Sequence, residues 1–530
     1  MAEEDLIFGK NRHFFGGIEP SNVQNIVPIT LQDSKNGAYK VKLVVFLPKD
    51  TVINGQTLCT VGGCIIRRRT DKFPTDEFDG DLIADLKGNG NDVLVTYDTD
   101  VTYDYKYYYT VFPYSKQGVY NRNVKNRVAH TVSDNYIFGY DLDIANPDPS
   151  GRITYPTDVM NYNYRKASMN FSTGVFDYGD WPDQPGQYFM PKPCVIDSRG
   201  VVQEYLDPND YSKTVDGNAT VCNVSSNSAL YYAMMQWPKI YVYRNVVDGI
   251  YKFRCSNIKY GDDWECWSNY NSSKQIVDNF YTAIYTAAYV SGTSKLTSIS
   301  GTPPIETSVG NAHAYARNIG YRWNNEQLCD YMLIQDLLIM IGKSTNVQAV
   351  FGKGGSINTG SSNSKGLFFG SNTSYELKIF GMEDRWGHRR WVKGLWVIDG
   401  SYRIKYTQAP VNDPLSDYNN GIDTLPAICI PQSTSGSFSN ACLYCKYGII
   451  PIGSKTEHSS ICIFGDYTWE IKHSSPGTSS TYQCDRININ NISGKLYKAG
   501  YGGVSNDNGG VFSLTTCDDN YENYCSLSFK

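Results

Sequence analysis

The chain has 530 residues, too many for one compact core and enough for roughly two to four domains. Its formal net charge is −5 and only 19% of its residues are charged, so no global positive field favours nucleic acid. No run of about 18 apolar residues occurs, and the opening MAEEDLIFGKNRHFF is acidic and lacks an apolar core, so neither membrane insertion nor ordinary secretion is expected.

Residues 1–22 mix polar and aromatic types, end in Gly16-Gly17-Ile18-Glu19-Pro20, and read as an arm. From 23 to 125 short alternating runs are separated by turn signals. Val41, Leu43 and Val45 share a face, Asn54-Gly55 and Asp79-Gly80 turn the chain, Val93 and Val95 alternate, and Tyr107 to Phe112 close the set. About seven short strands in roughly 100 residues predict a β-sandwich. Within it Arg67-Arg68-Arg69 reads as a solvated face. The section GCIIRRRTDKFPTDEFDGDLI with YKYYYTVFPYSKQGVYN resembles fibronectin type III domains. That likeness implies a Tyr-rich late strand packed on the opposite sheet, a long hairpin loop from Pro74 to Gly80, and a spacing or anchoring role. Residues 126–137, which overlap the polar string NRNVKNRVAHTVSDN of 121–135, read as a linker.

Residues 138–530 show no second composition break and read as one large, loop-rich domain, with an insertion at about 407–460 around a small core from Ile428 to Ile452. Ile240 to Tyr243 and Ile250 to Phe253 face each other across the Asp248-Gly249 turn, a hairpin. Ile276 to Val290 fits either a helix or a pair of Tyr/Thr-rich strands. A helix is expected from about Asn325 to Ile341, with Asn324 capping and Leu328, Met332, Gln335, Leu338 and Ile339 as its buried stripe. The Gly/Ser/Asn-rich stretch Gly352 to Ser374 reads as a flexible loop; its GxGG element lacks the order of a phosphate loop.

Tyr375 to Tyr406 is expected to hold two alternating strands flanking a loop that buries Trp386, Trp391 and Trp396. Phe380-Gly381-Met382-Glu383-Asp384 through Trp391 and Trp396 resembles the G-M-E/D-N-x-x-G-N-x-W-x-W segment of the C-type-lectin-like fold. That fold occurs in sulfatase-modifying factors, phage tail proteins and the variable proteins of diversity-generating retroelements. His388 stands where the pattern usually has Asn. LLIMIGKSTNVQAVFG, from Leu337, and the preceding Trp323 resemble a section that recurs in tailed-phage proteins of this group.

At the far end Cys525, Leu527 and Phe529 alternate with Tyr524, Ser526 and Ser528, predicting a half-buried strand. The stretch resembles the terminal GG-x-x-x-x-G-x-x-x-G-x-F-x-L … G-x-R-L-x-F section of the phage and retroelement proteins. Gly502-Gly503, Gly509-Gly510, Phe512, Leu514, Leu527 and Phe529 match its scaffold positions. The likeness implies that Tyr501, Asn506, Asp507, Asn508, Asp518, Asp519, Asn520, Tyr521, Asn523 and Tyr524 form the ligand surface; read from composition alone they are equally ordinary loop residues. Tyr would stack on sugar rings or fill protein pockets, and Asn and Asp would supply hydrogen bonds.

Tyr occurs 43 times, which serves either β-propensity or contact surface. Cys occurs 14 times at irregular spacing, consistent with reduced thiols acting as small buried hydrophobes. Cys442-x-x-Cys445 is the one metal-like pair, with Cys429 and Cys462 as possible partners; no metal or other cofactor is expected. The six His are scattered, with no HExxH or G-x-S-x-G spacing. Glu383 and Asp384 are the best paired acids, and Cys517 and Cys525 lie where sulfatase-modifying relatives carry a reactive pair but lack the surrounding signature.

The expectation is a β-rich α+β fold: a fibronectin III-like sandwich followed by a large C-type-lectin-like domain. Its function would be that of a virion tail protein of a tailed phage, made in the host cytoplasm. It would bind a host bacterial surface glycan or protein without catalysis, contact other tail or baseplate proteins, and assemble as a homo-oligomer, three copies fitting best. The alternatives are a structural tail or capsid decoration protein and a polysaccharide depolymerase.

Overall fold

The fold is β-rich, 41% strand against 8% helix, in several antiparallel sheets. The computed structural model describes residues 17–32, 38–221, 230–355, 358–388 and 390–398; beyond these it describes 403–406, 423–424, 434–438, 441–445, 448–453, 468–470, 478–482, 484–489, 496–499, 510–512, 514–518 and 522–530. The chain divides into two compact units, one of residues 1–137 with 156–162 and one of residues 138–155 with 163–530. No helix among the described residues is long and apolar enough to cross a membrane.

Among the described residues the first unit has nine strands: β1 (Asn25–Gln32), β2 (Tyr39–Phe46), β3 (Thr51–Ile53), β4 (Gln56–Cys59), β5 (Val61–Arg69), β6 (Asp81–Lys87), β7 (Val93–Asp98), β8 (Lys106–Ser115) and β9 (Arg127–Thr131). One sheet runs β1-β2-β7 and a second runs β6-β5-β8-β9, with β3-β4 a separate hairpin. Val41, Leu43 and Val45 meet Cys64, Ile66, Tyr107, Tyr109 and Val111 in one core. The period-two pattern that revealed these strands is therefore the pattern that joins their sheets. In β7 the expected face is one residue off: Val93 is 40% exposed, while Leu94 packs on the core. A one-residue shift in a strand exchanges its two faces.

The Arg triplet is not a solvated face. Alternation along β5 turns Arg68 inward, where its guanidinium pairs with Asp98 at 2.9 Å and Asp81 at 2.8 Å and lies 5.1 Å from the centre of the Tyr107 ring. Tyr109 donates to Asp98 at 2.8 Å, so strands of both sheets converge on one carboxylate. The linker expected at 126–137 is also corrected. Arg127–Thr131 pairs with β8 as an edge strand, Val128 packs on the core and Val132 is buried. An edge strand has one face and one margin in water, which suits the polar content of this string. Residues 156–162 return to this unit, where Val159 is buried and its carbonyl accepts from Lys42 Nζ at 3.2 Å.

In the second unit a seven-stranded sheet runs Asp210–Thr214, Val202–Asp207, Lys192–Asp197, Tyr231–Pro238, Asn279–Ala283, Leu527–Phe529, Trp323–Asn325. The Ile276 to Val290 stretch contributes strands Asn279–Ala283 and Ala288–Val290, not a helix. The predicted hairpin pairs Tyr241–Val247 with Ile250–Ser256 around Asp248-Gly249. A second seven-stranded sheet contains Trp391–Ile398 and Leu514–Asp518. Asp423–Thr424 and Thr434–Phe438 also belong to it, so the stretch expected to be an insertion is woven into a main sheet.

Three helices follow one another, α1 (Val309–Arg317), α2 (Leu328–Gly342) and α3 (Val347–Phe351). Helix α2 starts three residues later than expected at Asn325, and Gln327, not Asn324, occupies its N-cap without a side-chain bond. All its residues are buried, not a stripe, because LCDYMLIQDLLIMIG is apolar nearly all round. Its two charged residues are Asp330 in the first turn and, in the middle, Asp336. Burial pushes its pKa up, opposed by Arg244 at 2.7 Å and by the Tyr140 and Tyr251 hydroxyls at 2.6 and 3.2 Å.

Nine described cysteines are buried, and burial pushes the Cys64, Cys329 and Cys525 thiols up to about 12. They pack as small apolar groups. The possible metal partners Cys429 and Cys462 lie outside the described residues.

Two outcomes are expected for the first unit. Arg68→Ala, which strands Asp98 without its cation, should lower stability by about 3–5 kcal/mol in denaturant titration. His130 of β9 meets Thr30 Oγ1 of β1 at 2.8 Å, and burial depresses its pKa to about 4. A depressed folded-state pKa makes stability fall as pH drops from about 6.5 toward 4, because the unfolded chain then binds the proton first. Amide exchange in β1 and β9 should accelerate across that window, and His130→Gln should flatten the change.

Candidate recognition surface beside the last strand

Leu527–Phe529 is an inner strand of its sheet. Ser528 pairs with both Thr282 and Asn324, and Phe529 with both Tyr281 and Trp323. The alternation of Cys525, Leu527 and Phe529 holds, and all three lie in a core with Trp323 and Trp391. The other face is not solvated as expected: Ser526 and Ser528 are buried too, and Ser528 Oγ donates to the Asn325 carbonyl at 2.9 Å. Lys530 follows into the interior, its ammonium 2.8 Å from Asp330 and 3.2 Å from Cys329 Sγ. A strand with neighbours on both edges and cover on both faces buries its polar residues and satisfies them from other elements.

The tryptophans are placed by the same packing. Trp386 is fully buried and donates to the Gly352 carbonyl at 3.0 Å. Trp391 and Trp396 lie within a strand, not in the expected loop, and Trp396 pairs with Lys405 and Tyr497. A register shift separates the two, with Gly394 between them at φ 98°. A bulge of this kind bends the strand and re-aims its side chains. The stretch 352–374, expected to be a flexible loop, instead packs here in its described part: a Cβ on Gly354, at φ 68°, would meet the Trp386 carbonyl at 2.4 Å. Phe512 is buried and its N–H donates to Asp485 at 2.8 Å, while Leu514 opens the strand Leu514–Asp518.

Tyr524 sits where this framework reaches the surface. The Trp391 N–H donates to the Tyr524 carbonyl at 3.0 Å, and the Trp391 indole donates to the Thr307 carbonyl at 2.7 Å. Thr307 and Asn523 exchange backbone bonds of 2.9 and 3.1 Å. The Tyr524 ring is half-buried, edge-on to His388 at 5.5 Å between centroids, and lies close to the Glu306 carboxylate. Burial and the Glu306 carboxylate both raise the phenol's pKa. Asn523, expected to be exposed, is 1% exposed, because its pairing with Thr307 turns it into the framework. Asp518 ends its strand with its backbone paired to Leu496. Tyr501, Asn506, Asp507, Asn508, Asp519, Asn520 and Tyr521 lie outside the described residues.

The segment carrying Glu306 and Thr307 also lines an open groove of about 330 Å³, formed by Gly301 to Pro304 and by Asn358 and Thr359. Its walls are tied: Gly301 N donates to the Thr359 carbonyl at 2.9 Å, and Thr359 Oγ1 to the Thr302 carbonyl at 2.8 Å. Behind them Glu383 accepts from Gly360 N at 2.7 Å and from Ser362 N and Oγ at 3.1 and 2.6 Å. Lys378, opposite Glu383 in the hairpin, donates to the Ser362 carbonyl at 2.9 Å; burial lowers its pKa to about 7. Burial raises Glu383 and Asp384. These two acids, the best paired candidates in the sequence, are both buried, and Glu383 is committed to holding a loop. Among the described residues no group of three or more His, Cys, Asp or Glu is placed to hold a metal ion.

Sequence reading missed Glu306 and the groove. The signal available was Pro303-Pro304, a turn marker directly before Ile305-Glu306. The arrangement can present hydroxyls, amides and one phenol from a rim that backbone bonds hold still.

Removing the charge of Glu383 tests that rigidity. Glu383→Gln should speed amide exchange at Gly360 and Ser362 by about tenfold or more, since a hydrogen bond to a charged group contributes about 1.5–3 kcal/mol. Exchange at Thr282 and Ser528 in the central sheet should be unchanged.

No protein-family model matches this chain, and no curated protein sequence matches it.

Proposed function

We propose that the chain is a tail protein of a tailed-phage virion, at the fibre tip or baseplate, which grips a glycan or protein on the host bacterium without catalysis. The observation that carries this reading is the fixing of Tyr524. Its backbone is bonded to Trp391 beneath the surface, and its ring stands half out of it beside His388 and Glu306. A pre-ordered aromatic loses little entropy when a partner covers it.

Two further features support the domain reading. The split of β1-β2-β7 from β6-β5-β8-β9 is the two-sheet arrangement of a sandwich, with a Tyr-rich late strand reaching the opposite sheet, as fibronectin type III likeness implies. A final strand set inside its sheet above buried tryptophans suits a lectin-like domain that displays the loops before that strand. A single rim of this size binds weakly, so a symmetric homotrimer would raise avidity through effective concentration. Other tail or baseplate proteins are the partners of the first unit in this reading.

The architectural alternative, a tail or capsid decoration protein, draws on a specific observation too. Asn523 is buried and Tyr524 only half-exposed, which is less contact surface than the residue pattern promised.

Binding of the full chain to bacterial cells and to arrayed bacterial surface polysaccharides separates these. Tyr524→Ala and Tyr521→Ala should each weaken binding about tenfold, the size of one lost aromatic contact, whereas Tyr321→Ala should not. Tyr321 is 77% exposed and lies in the same unit. Equal binding by all three variants, or binding by none of the proteins, would leave the architectural reading; sugar release from the polysaccharides would point to a depolymerase.

A further inference from the structure

We infer that the first unit carries a separate binding site, for an acidic saccharide of one or two residues. It lies in a groove between the ends of β6 and β8, entirely within that unit. The groove has a volume of about 600 Å³, inside the range of roughly 300–1,000 Å³ typical of small-ligand sites.

Its lining is amphipathic. Tyr114 and Tyr120 meet edge-on at 5.3 Å between ring centroids, at 62°. The Tyr114 hydroxyl accepts from Lys87 Nζ at 2.8 Å and donates to Asp85 Oδ1 at 2.8 Å, so the ring cannot swing. Lys87 is held at the rim with its side chain 76% exposed; beyond Tyr114 and Asp85, at 3.5 Å, its ammonium keeps a third donor for a ligand. Lys116, exposed, also lines the groove, its backbone fixed by a 2.9 Å bond from its N–H to the Thr60 carbonyl. Asn89 and Asp92 complete the wall, and Asp92 Oδ2 accepts from the Asn89 N–H at 2.6 Å. Gly62, Gly88 and Gly118 leave bare backbone along the groove.

The chemistry of these groups selects the ligand class. Two lysines lining one groove call for an anion, and a half-buried tyrosine calls for a flat C–H face to stack on. Asn89 and Asp92 call for hydroxyls. A bare inorganic anion would leave the tyrosines and Asn89 unused and would face Asp92. A neutral sugar would leave both lysines unused. A uronic-acid-type residue meets all of them, with its carboxylate toward Lys87 and Lys116 and its ring against Tyr120.

The test titrates the full chain with digalacturonate, maltose and inorganic phosphate at low salt, read by calorimetry. Digalacturonate should saturate with a dissociation constant in the millimolar range or tighter, and should weaken as salt rises. Maltose should bind about tenfold more weakly. Lys116→Met and Tyr120→Ala should each reduce digalacturonate binding about tenfold, while Lys125→Met, an exposed lysine of the same unit outside the groove, should change nothing. Lys116 is exposed, so its variant folds and decides the matter even where Tyr120→Ala does not. Tyr524→Ala should leave digalacturonate binding intact, which keeps this site distinct from the C-terminal surface. Absence of saturable digalacturonate binding, equal binding of maltose, or full competition by phosphate at matched charge would overturn the assignment.

Discussion

The second unit depends on the insertion of Leu527–Phe529 between two strands that precede it by a long stretch of chain. Ser528 bonds Asn325, 203 positions earlier, and the same three-residue strand completes the ladders of both neighbours. Cys525, Leu527 and Phe529 fill the core on one face, where Trp323 and Trp391 close around them. Without this strand two inner edges would carry unpaired backbone groups and the tryptophans would lose their cover, each a cost of the kind that decides whether a domain folds. Long-range closure also makes the sheet slow to form, since loop entropy is lost before the ladder returns it.

Buried ions are the second organising feature. Arg68 with Asp98, Arg244 with Asp336, Lys530 with Asp330, and Arg385 with Glu326 all lie out of solvent. Such pairs add little net stability, because desolvation offsets most of their attraction, yet breaking one leaves an uncompensated charge. Their positions suggest registration. Arg68 and Asp98 join the two sheets of the first unit, and Asp336 anchors the middle of a largely apolar helix to three strands. An apolar helix packed by hydrophobicity alone has several rotational settings; one with a carboxylate that must meet Arg244, Tyr140 and Tyr251 has one.

Both surfaces proposed for binding share a physical plan. Each sets tyrosine on a framework whose polar groups are already satisfied, so the ring is fixed before a partner arrives. At Tyr524 the framework is Trp391, Thr307 and the buried Glu383 behind the neighbouring loop; at Tyr120 it is Tyr114, clamped by Lys87 and Asp85. The tyrosines divide between core and surface. Tyr107, Tyr109, Tyr140 and Tyr251 are core residues, and a smaller group stands at rims.

The sequence by itself determined what short-range periodicity can report. The alternation of Val41, Leu43 and Val45, the hairpin at Asp248-Gly249, the long apolar helix and the apolar face of Cys525, Leu527 and Phe529 were all legible, because each is a repeat of two or about 3.6 residues within a few turns of chain. Of the candidate site, Leu527 and Phe529 could be read in this way and Trp386 and Trp391 from the density of large aromatics; Phe512 came from the resemblance to the lectin-like fold, and Glu306 and the groove beside it could not be read. Tertiary structure decided the fate of the polar residues. Arg68, Asn523, Ser526 and Ser528 look like surface, as does the polar string that became β9, and what placed them was a distant partner: Asp98, Thr307, Asn325 and β8. A buried polar group is stable only when another element supplies its hydrogen bond or counter-charge, and no local pattern records where in the chain that element lies.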